Sequence, residues 1–231
     1  MEYIGFVQFG DMFEYRSKVK EIGKIMSFKR GIDVLPFLKR NDLVLYIDTG
    51  MLYYRLCKPD GTYLQLMAYK EGNILPVFQL EEEMVYSDVQ MLVAARGDVT
   101  GFVFSRSEFR KLRETEKRFA DLLQTQVKKT HSYLLLSQLL YRDGTCITRI
   151  SNLLYHVYCY KDYDSEIFPI GQEELACTIG VSKSQVKRAL SQLKYEGAIE
   201  LKYEQIVIKD ISIIKKHVSD SMQIELVSKK D

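Results

Sequence analysis

Between Ser182 and Tyr195 the chain reads SKSQVKRALSQLKY, and no acid occurs from Ser182 until Glu196. Lys183, Ser184, Gln185, Lys187, Arg188 and Ser191 bring two kinds of chemistry to this stretch. Lysine and arginine neutralise phosphates, while arginine and short polar groups hydrogen-bond to base edges. At helical spacing Ser184, Arg188, Ser191 and Tyr195 share one face, with Lys183, Gln185 and Lys187 on its flanks. Val186, Ala189, Leu190 and Leu193 take the opposite face. A lone charge run is usually just a solvated helix face, so its meaning depends on the elements that hold it.

Those elements are legible on both sides. Gln172–Gly180 predicts a short first helix with Leu175, Ala176 and Ile179 inward, the small Ala176 allowing a second helix to cross closely. Gly180 supplies a left-handed residue to end it, and Val181 plugs the corner. Ser182 is a good N-cap, and Gln185 three residues later completes a capping box. Leu175, Ala176, Gly180, Val186 and Leu190 are the predicted core of the pair. Directly behind, Ala198–Leu201 and Ile206–Ile208 are short apolar runs around Lys202-Tyr203-Glu204-Gln205, a hairpin or wing. The coincidence of small crossing residue, glycine corner, capped basic helix and wing predicts a winged helix-turn-helix fitted to double-stranded DNA.

The first hundred residues carry a different pattern. Leu43–Leu75 is rich in β-branched and aromatic residues and is punctuated at Gly50, Asp60-Gly61 and Gly72, with Asp60-Gly61 a hairpin signal. Val85–Ala95 and Val99–Phe104 are further strand candidates, and Glu14–Ile25 a short helix before them. Short strands at regular spacing predict an antiparallel roll or barrel. From Ser107 to Tyr141 there is neither proline nor glycine, so one or two helices fit. Phe119, Leu122, Gln126, Lys129, Tyr133, Leu136 and Leu140 follow heptad-like spacing, and Leu123, Val127 and Leu134 make a second apolar stripe. Two stripes need two surfaces: an internal core helix would supply them, but the reading preferred is a helix packed on its own roll and on a partner's copy, with Phe119, Leu122, Gln126, Tyr133, Leu136 and Leu140 at the dimer interface. A shorter helix, Ile147–Tyr160, follows. The expected fold class is therefore α+β: a roll over 1–106, a dimerisation helix over 107–142 and a winged helix-turn-helix over 143–231.

Composition narrows the function. The 231 residues carry a net charge of only +2, so any basic footprint is local. The first fifteen residues lack a signal pattern, and the greasy run Tyr133–Tyr141 is too short to span a bilayer; a cytoplasmic protein with no membrane partner is expected. Cys57, Cys146, Cys159 and Cys177 are scattered, which fits free thiols; Cys57 and Cys146 could form a redox switch, although buried inert cysteine is the commoner fate. His156 and Cys159 have ligand spacing on one helix but no third ligand nearby, so no metal is assigned. No cofactor is identified. A cupin-type enzyme would need histidines in the roll, and none precedes His131; no nucleophile or phosphate-loop motif appears either, so no enzyme is expected.

The chain resembles the Crp/Fnr family of bacterial transcription regulators, most specifically over IGQEELACTIGVSKSQVKRAL (Ile170–Leu190), and more weakly over Asp42–Gly50, Asp60-Gly61 and Gly72. The resemblance implies a cyclic-nucleotide-binding-like jelly roll as sensor, a long dimer helix and a winged helix-turn-helix. It implies a homodimer on a pseudo-palindromic operator, with RNA polymerase a candidate further partner. It carries DNA contacts onto Lys183, Ser184 and Arg188. Many members have glutamate where Ser184 stands, and serine does not accept from a cytosine amino group as a carboxylate does. In members that bind cyclic AMP, a glutamate and an arginine-serine pair hold the nucleotide; Val77 and Val89-Gln90 occupy those positions here, so cyclic AMP is not expected unless Arg96 substitutes. Iron–sulfur members cluster cysteines near the N-terminus, and none precedes Cys57. The expected effector is an unidentified small molecule or redox signal, with Tyr63, Tyr69, Phe78, Val77 and Val89 as the pocket and Tyr53 and Tyr54 nearby. The alternative is a winged-helix protein-docking module on a structural roll, which would want apolar residues on the outer face of Ser182–Tyr195.

Overall fold

The structure, a computed structural model, describes residues 7–57, 63–76, 90–142, 144–160 and 167–220. It divides into two compact units, the division falling between Leu134 and Leu135, inside a long helix.

The first unit runs β1 (Val7–Gln8), a 3-10 turn at Phe13–Tyr15, α1 (Arg16–Ile22), β2 (Lys24–Phe28), α2 (Leu35–Arg40), β3 (Leu43–Thr49), β4 (Leu52–Cys57), β5 (Tyr63–Tyr69), β6 (Ile74–Leu75), β7 (Gln90–Ala95), β8 (Val99–Ser105) and α3 (Arg106–Thr115). α4 (Lys117–Arg142) follows and crosses the division. The strands form two four-stranded sheets, β1-β5-β4-β7 and β2-β8-β3-β6. All pairings are antiparallel except β1 with β5, which is parallel. β4 and β5 pair with Leu52 opposite Tyr69 and Cys57 opposite Tyr63. The Asp60-Gly61 turn and residues 85–89 of the strand expected at Val85–Ala95 lie outside the described residues.

The helix expected over Glu14–Ile25 is shorter. Gly23 leaves α1 in extended conformation, and a Cβ there would lie 2.7 Å from the Val19 carbonyl oxygen. Lys24–Phe28 then runs as a strand beside β8, from Lys24 opposite Val103 to Phe28 opposite Val99. α2, which strand periodicity alone did not announce, has proline in its first turn, where a missing N–H costs nothing. The stretch from Ser107 is two helices: Ser105 caps α3 by accepting from the Glu108 N–H at 3.1 Å, and Glu116 turns extended between α3 and α4.

The seam assigned to a partner is corrected in its first half. Phe119 is fully buried, edge-on to Tyr15 at 5.0 Å and to Phe109 at 5.9 Å, and Leu122 lies in the same core as Val44, Tyr46 and Phe102. Gln126 is also fully buried, its amide pairing with both backbone groups of Ile74, accepting from N–H at 3.1 Å and donating to C=O at 2.8 Å. Lys129 pairs with Asp11 at 2.7 Å. This stripe packs on the chain's own roll, because a helix presents either face with equal periodicity and only the fold decides which face is covered. The second stripe is open at Val127, 37% exposed, with Leu134 half-buried; Leu123, also half-buried, packs against the core that holds Phe119. Farther along, Tyr133 and Leu136 are half-buried and Leu140 is buried within the chain, so Leu140 is no partner contact either.

The second unit contains α5 (Cys146–Tyr160), β9 (Ile167–Phe168), α6 (Gln172–Ile179), α7 (Lys183–Tyr195), β10 (Ile199–Lys202), β11 (Gln205–Ile208) and α8 (Ile211–His217). β10 and β11 pair antiparallel, and β9 adds a third strand against β11. Asn152, fully buried on α5, donates to the Leu140 carbonyl at 2.9 Å and accepts from the Ser219 N–H at 3.0 Å, tying the chain's two ends of this unit together.

Candidate nucleic-acid interface and roll pocket

α6 ends where glycine is required. Gly180 takes φ 70° and ψ 38°, the left-handed region that a Cβ penalises, and its N–H and that of Val181 both donate to the Ala176 carbonyl. α7 starts immediately on Ser182, whose hydroxyl accepts from the Gln185 N–H while Gln185 Oε1 accepts from the Ser182 N–H at 3.0 Å, a complete capping box. Leu175 and Ile179 of α6 are fully buried, as are Val186 and Leu193 of α7, with Ala176, Ala189 and Leu190 nearly so. Of the residues expected in the core of the pair, Leu175, Ala176, Val186 and Leu190 are buried and Gly180 is half-buried.

That burial fixes the other face. Lys183, Ser184, Gln185, Lys187, Arg188 and Ser191 are all exposed. Lys183 makes only a 3.9 Å ion pair with Glu173, both side chains mostly in water, which holds it weakly. Ser184 Oγ lies 3.0 Å from Ser182 Oγ. Gln185 is exposed, but its carbonyl oxygen also accepts from the Ser182 hydroxyl at 2.9 Å, so that half of the amide serves the cap.

One neighbour was missed in the sequence. Arg149, on α5, donates from Nε to the Gly144 carbonyl at 3.1 Å. The Cys146 thiol is pushed up by burial, while Arg149 and Arg188 both pull it down. Nothing in the local pattern of Ile147–Tyr160 could reveal this, since it depends on how α5 crosses α7. Tyr195, already placed by its spacing on the stripe of Ser184, Arg188 and Ser191, is 93% exposed.

In the first unit a small, partly open pocket is lined by Leu35, Tyr54, Tyr69, Leu75, Pro76, Met91 and Val93. Tyr69 is where it was expected and Tyr54 joins it. Tyr63 does not: it is 42% exposed at the end of β5, and pairs across to Cys57 rather than facing the pocket. Tyr53 also lies elsewhere, its ring 4.3 Å from the Arg55 guanidinium and 5.7 Å from that of Arg96. Val77, Phe78 and Val89 lie outside the described residues. Burial pushes the Tyr54 phenol up to about 12 and the Tyr69 phenol higher still, so both are neutral donors at physiological pH. The Tyr54 hydroxyl donates to Met91 Sδ. The Tyr69 hydroxyl lies 3.4 Å from Thr130 Oγ on α4, which donates to Gln8 Oε1 at 2.7 Å; Gln8 Nε2 in turn donates to the Gln126 carbonyl at 3.0 Å. A buried polar chain thus runs from the pocket wall to the long helix. Among the described residues no group of three or more metal-ligating side chains gathers, and no helix is long and apolar enough to cross a membrane.

Residues 148–216 match the Crp-like helix-turn-helix domain. No curated protein matches the chain in sequence. Among solved structures, CprK complexed with OCPA is 16% identical with a TM-score of 0.69, the match covering 93% of this chain and 99% of that one. FixK2 from Bradyrhizobium japonicum is 17% identical with a TM-score of 0.63, over 86% and 98%. CLP of Xanthomonas campestris, described as a c-di-GMP responsive global regulator, is 15% identical with a TM-score of 0.63, over 84% and 99%. Roll, long helix and capped helix pair therefore lead to one conclusion: this chain carries a Crp-like helix-turn-helix domain on the fold of the Crp/Fnr transcription regulators.

Proposed function

We propose that the protein is a cytoplasmic, homodimeric, sequence-specific DNA-binding transcription regulator whose roll responds to a small molecule. The observation that carries this reading is the two-sided character of α7: a buried side of Val186, Ala189, Leu190 and Leu193, and an open side of Lys183, Ser184, Lys187, Arg188 and Ser191. Arg188 is the base reader, because a guanidinium meets the guanine O6 and N7 pair in bidentate fashion; Lys183 and Lys187 meet phosphates, and Ser184 and Ser191 contact bases or backbone at short range. A helix face of this composition disfavours a protein-docking module, which would want apolar anchors there.

The dimer is assigned to the open stripe of α4 around Val127 and Leu134. RNA polymerase is the partner through which a bound regulator of this kind would act. The effector is an uncharged, largely apolar molecule: the described pocket lining bears no formal charge and offers two neutral phenols. CLP is described as responsive to c-di-GMP, an anionic ligand, and burying such charge against this lining without a cationic partner would cost several kcal/mol. Effector binding would act on α4 through Tyr69 and Thr130.

The test is selection of bound duplexes from a randomised pool by the purified chain, followed by binding measurements on the enriched sequence. An enriched palindrome is expected, with Arg188→Ala costing about 1–3 kcal/mol on it and relaxing base choice at one position of each half-site. A pool that never enriches would refute the reading.

A further inference from the structure

We infer that Tyr195 is a phosphate anchor of the DNA interface, an uncharged contact that holds the far end of α7 against the sugar-phosphate backbone. This rests on the DNA-binding reading of α7.

Position comes first. Tyr195 stands on the same stripe as Ser184, Arg188 and Ser191, opposite the buried Val186, Leu190 and Leu193. Seven residues separate it from Arg188, about 10 Å along the axis. In a helix-turn-helix the N-terminal part of the second helix meets base edges. A residue a further 10 Å or so along the same face lies past the floor of the groove, where the backbone strand passes.

Chemistry comes second. Tyr195 is 93% exposed, an unusual setting for a ring that sheds water favourably, and it gains nothing from packing in the free protein. Its hydroxyl is among the neutral side-chain donors that meet phosphate oxygens. The adjoining acid is held aside: Glu196 accepts from His217 Nε2 at 2.6 Å and from Gln192 Nε2 at 2.9 Å, and those bonds keep its carboxyl below the usual range. Its charge is thereby directed to α8 rather than to an incoming phosphate. Lys194, exposed beside Tyr195, favours the same partner.

A neutral anchor leaves a signature that a lysine does not. Losing a lysine–phosphate contact releases one counterion fewer and flattens the salt dependence; losing a tyrosine hydroxyl lowers affinity at every salt concentration and leaves the slope alone. The experiment is fluorescence anisotropy with full-length protein on two probes, a duplex enriched by the wild-type chain and a scrambled duplex of equal length, across a range of salt. Tyr195→Phe should weaken both by a similar factor of about tenfold with unchanged slope, and Tyr195→Ala by more. Both variants should melt with the wild type, since the side chain is in water. Equal affinity of Tyr195→Phe and wild type on both probes would overturn the assignment while leaving the regulator reading intact. Weakening confined to the enriched duplex would overturn it in favour of base contact. A wild-type chain that does not distinguish the two probes would instead bring down the regulator reading itself.

Discussion

At the scale of single residues, the proposed DNA interface gives Arg188 and Lys187 different work. Arg188 and Lys187 adjoin in sequence and carry the same charge, yet a forked guanidinium recognises geometry and an ammonium only charge. Lys187→Ala should therefore weaken binding to enriched and scrambled duplexes alike and reduce the salt slope by about one, measured as log affinity against log salt. A slope equal to the wild type's would remove Lys187 from the phosphate contacts. Gln185 illustrates how one residue can satisfy two readings in a sequence. Its spacing from Ser182 fits a cap and its amide fits adenine, and the geometry commits the carbonyl half to the cap.

At the scale of elements, α4 owes its register to polar groups as much as to apolar ones. Gln126 imitates a strand by pairing with both the N–H and the C=O of Ile74, and Gln8, Asn73 and Thr130 close the buried network around it. Gln126→Leu leaves both Ile74 groups without that partner in a dry setting and should destabilise the protein by about 2–4 kcal/mol, read as a lowered urea midpoint. A midpoint unchanged within error would mean that solvent reaches Ile74. A polar residue within a heptad-like run is the signal in the sequence that this stripe faces backbone; read as a weak seam position, it pointed to the wrong surface.

At the scale of the whole molecule, the proposed two-fold dimer would set what the interface can read. A dimer would present two copies of α7 to half-sites about 34 Å apart. Val127→Glu places a carboxylate on the open stripe of α4 and should yield monomers in sedimentation at concentrations where the wild type is dimeric. It should also lose affinity for duplexes with two half-sites while keeping that for a single one. Phe119→Ala, on the covered stripe, should lower stability without dissociating the dimer. The reverse pattern for these two variants would return the dimer interface to Phe119 and Leu122.

What the sequence determined by itself was the local grammar of the second unit. Ser182 with Gln185, the left-handed Gly180 and the Val186–Leu193 spacing depend on neighbours within about four residues, so the chain's own propensities settle them. The roll was readable as alternating strands for the same reason. Tertiary structure alone decided which stripe of α4 is covered and which tyrosines line the pocket. Those facts hang on contacts such as Gln126 with Ile74 and Tyr69 with Thr130, separated by 52 and 61 residues, and periodicity cannot distinguish partners that distant.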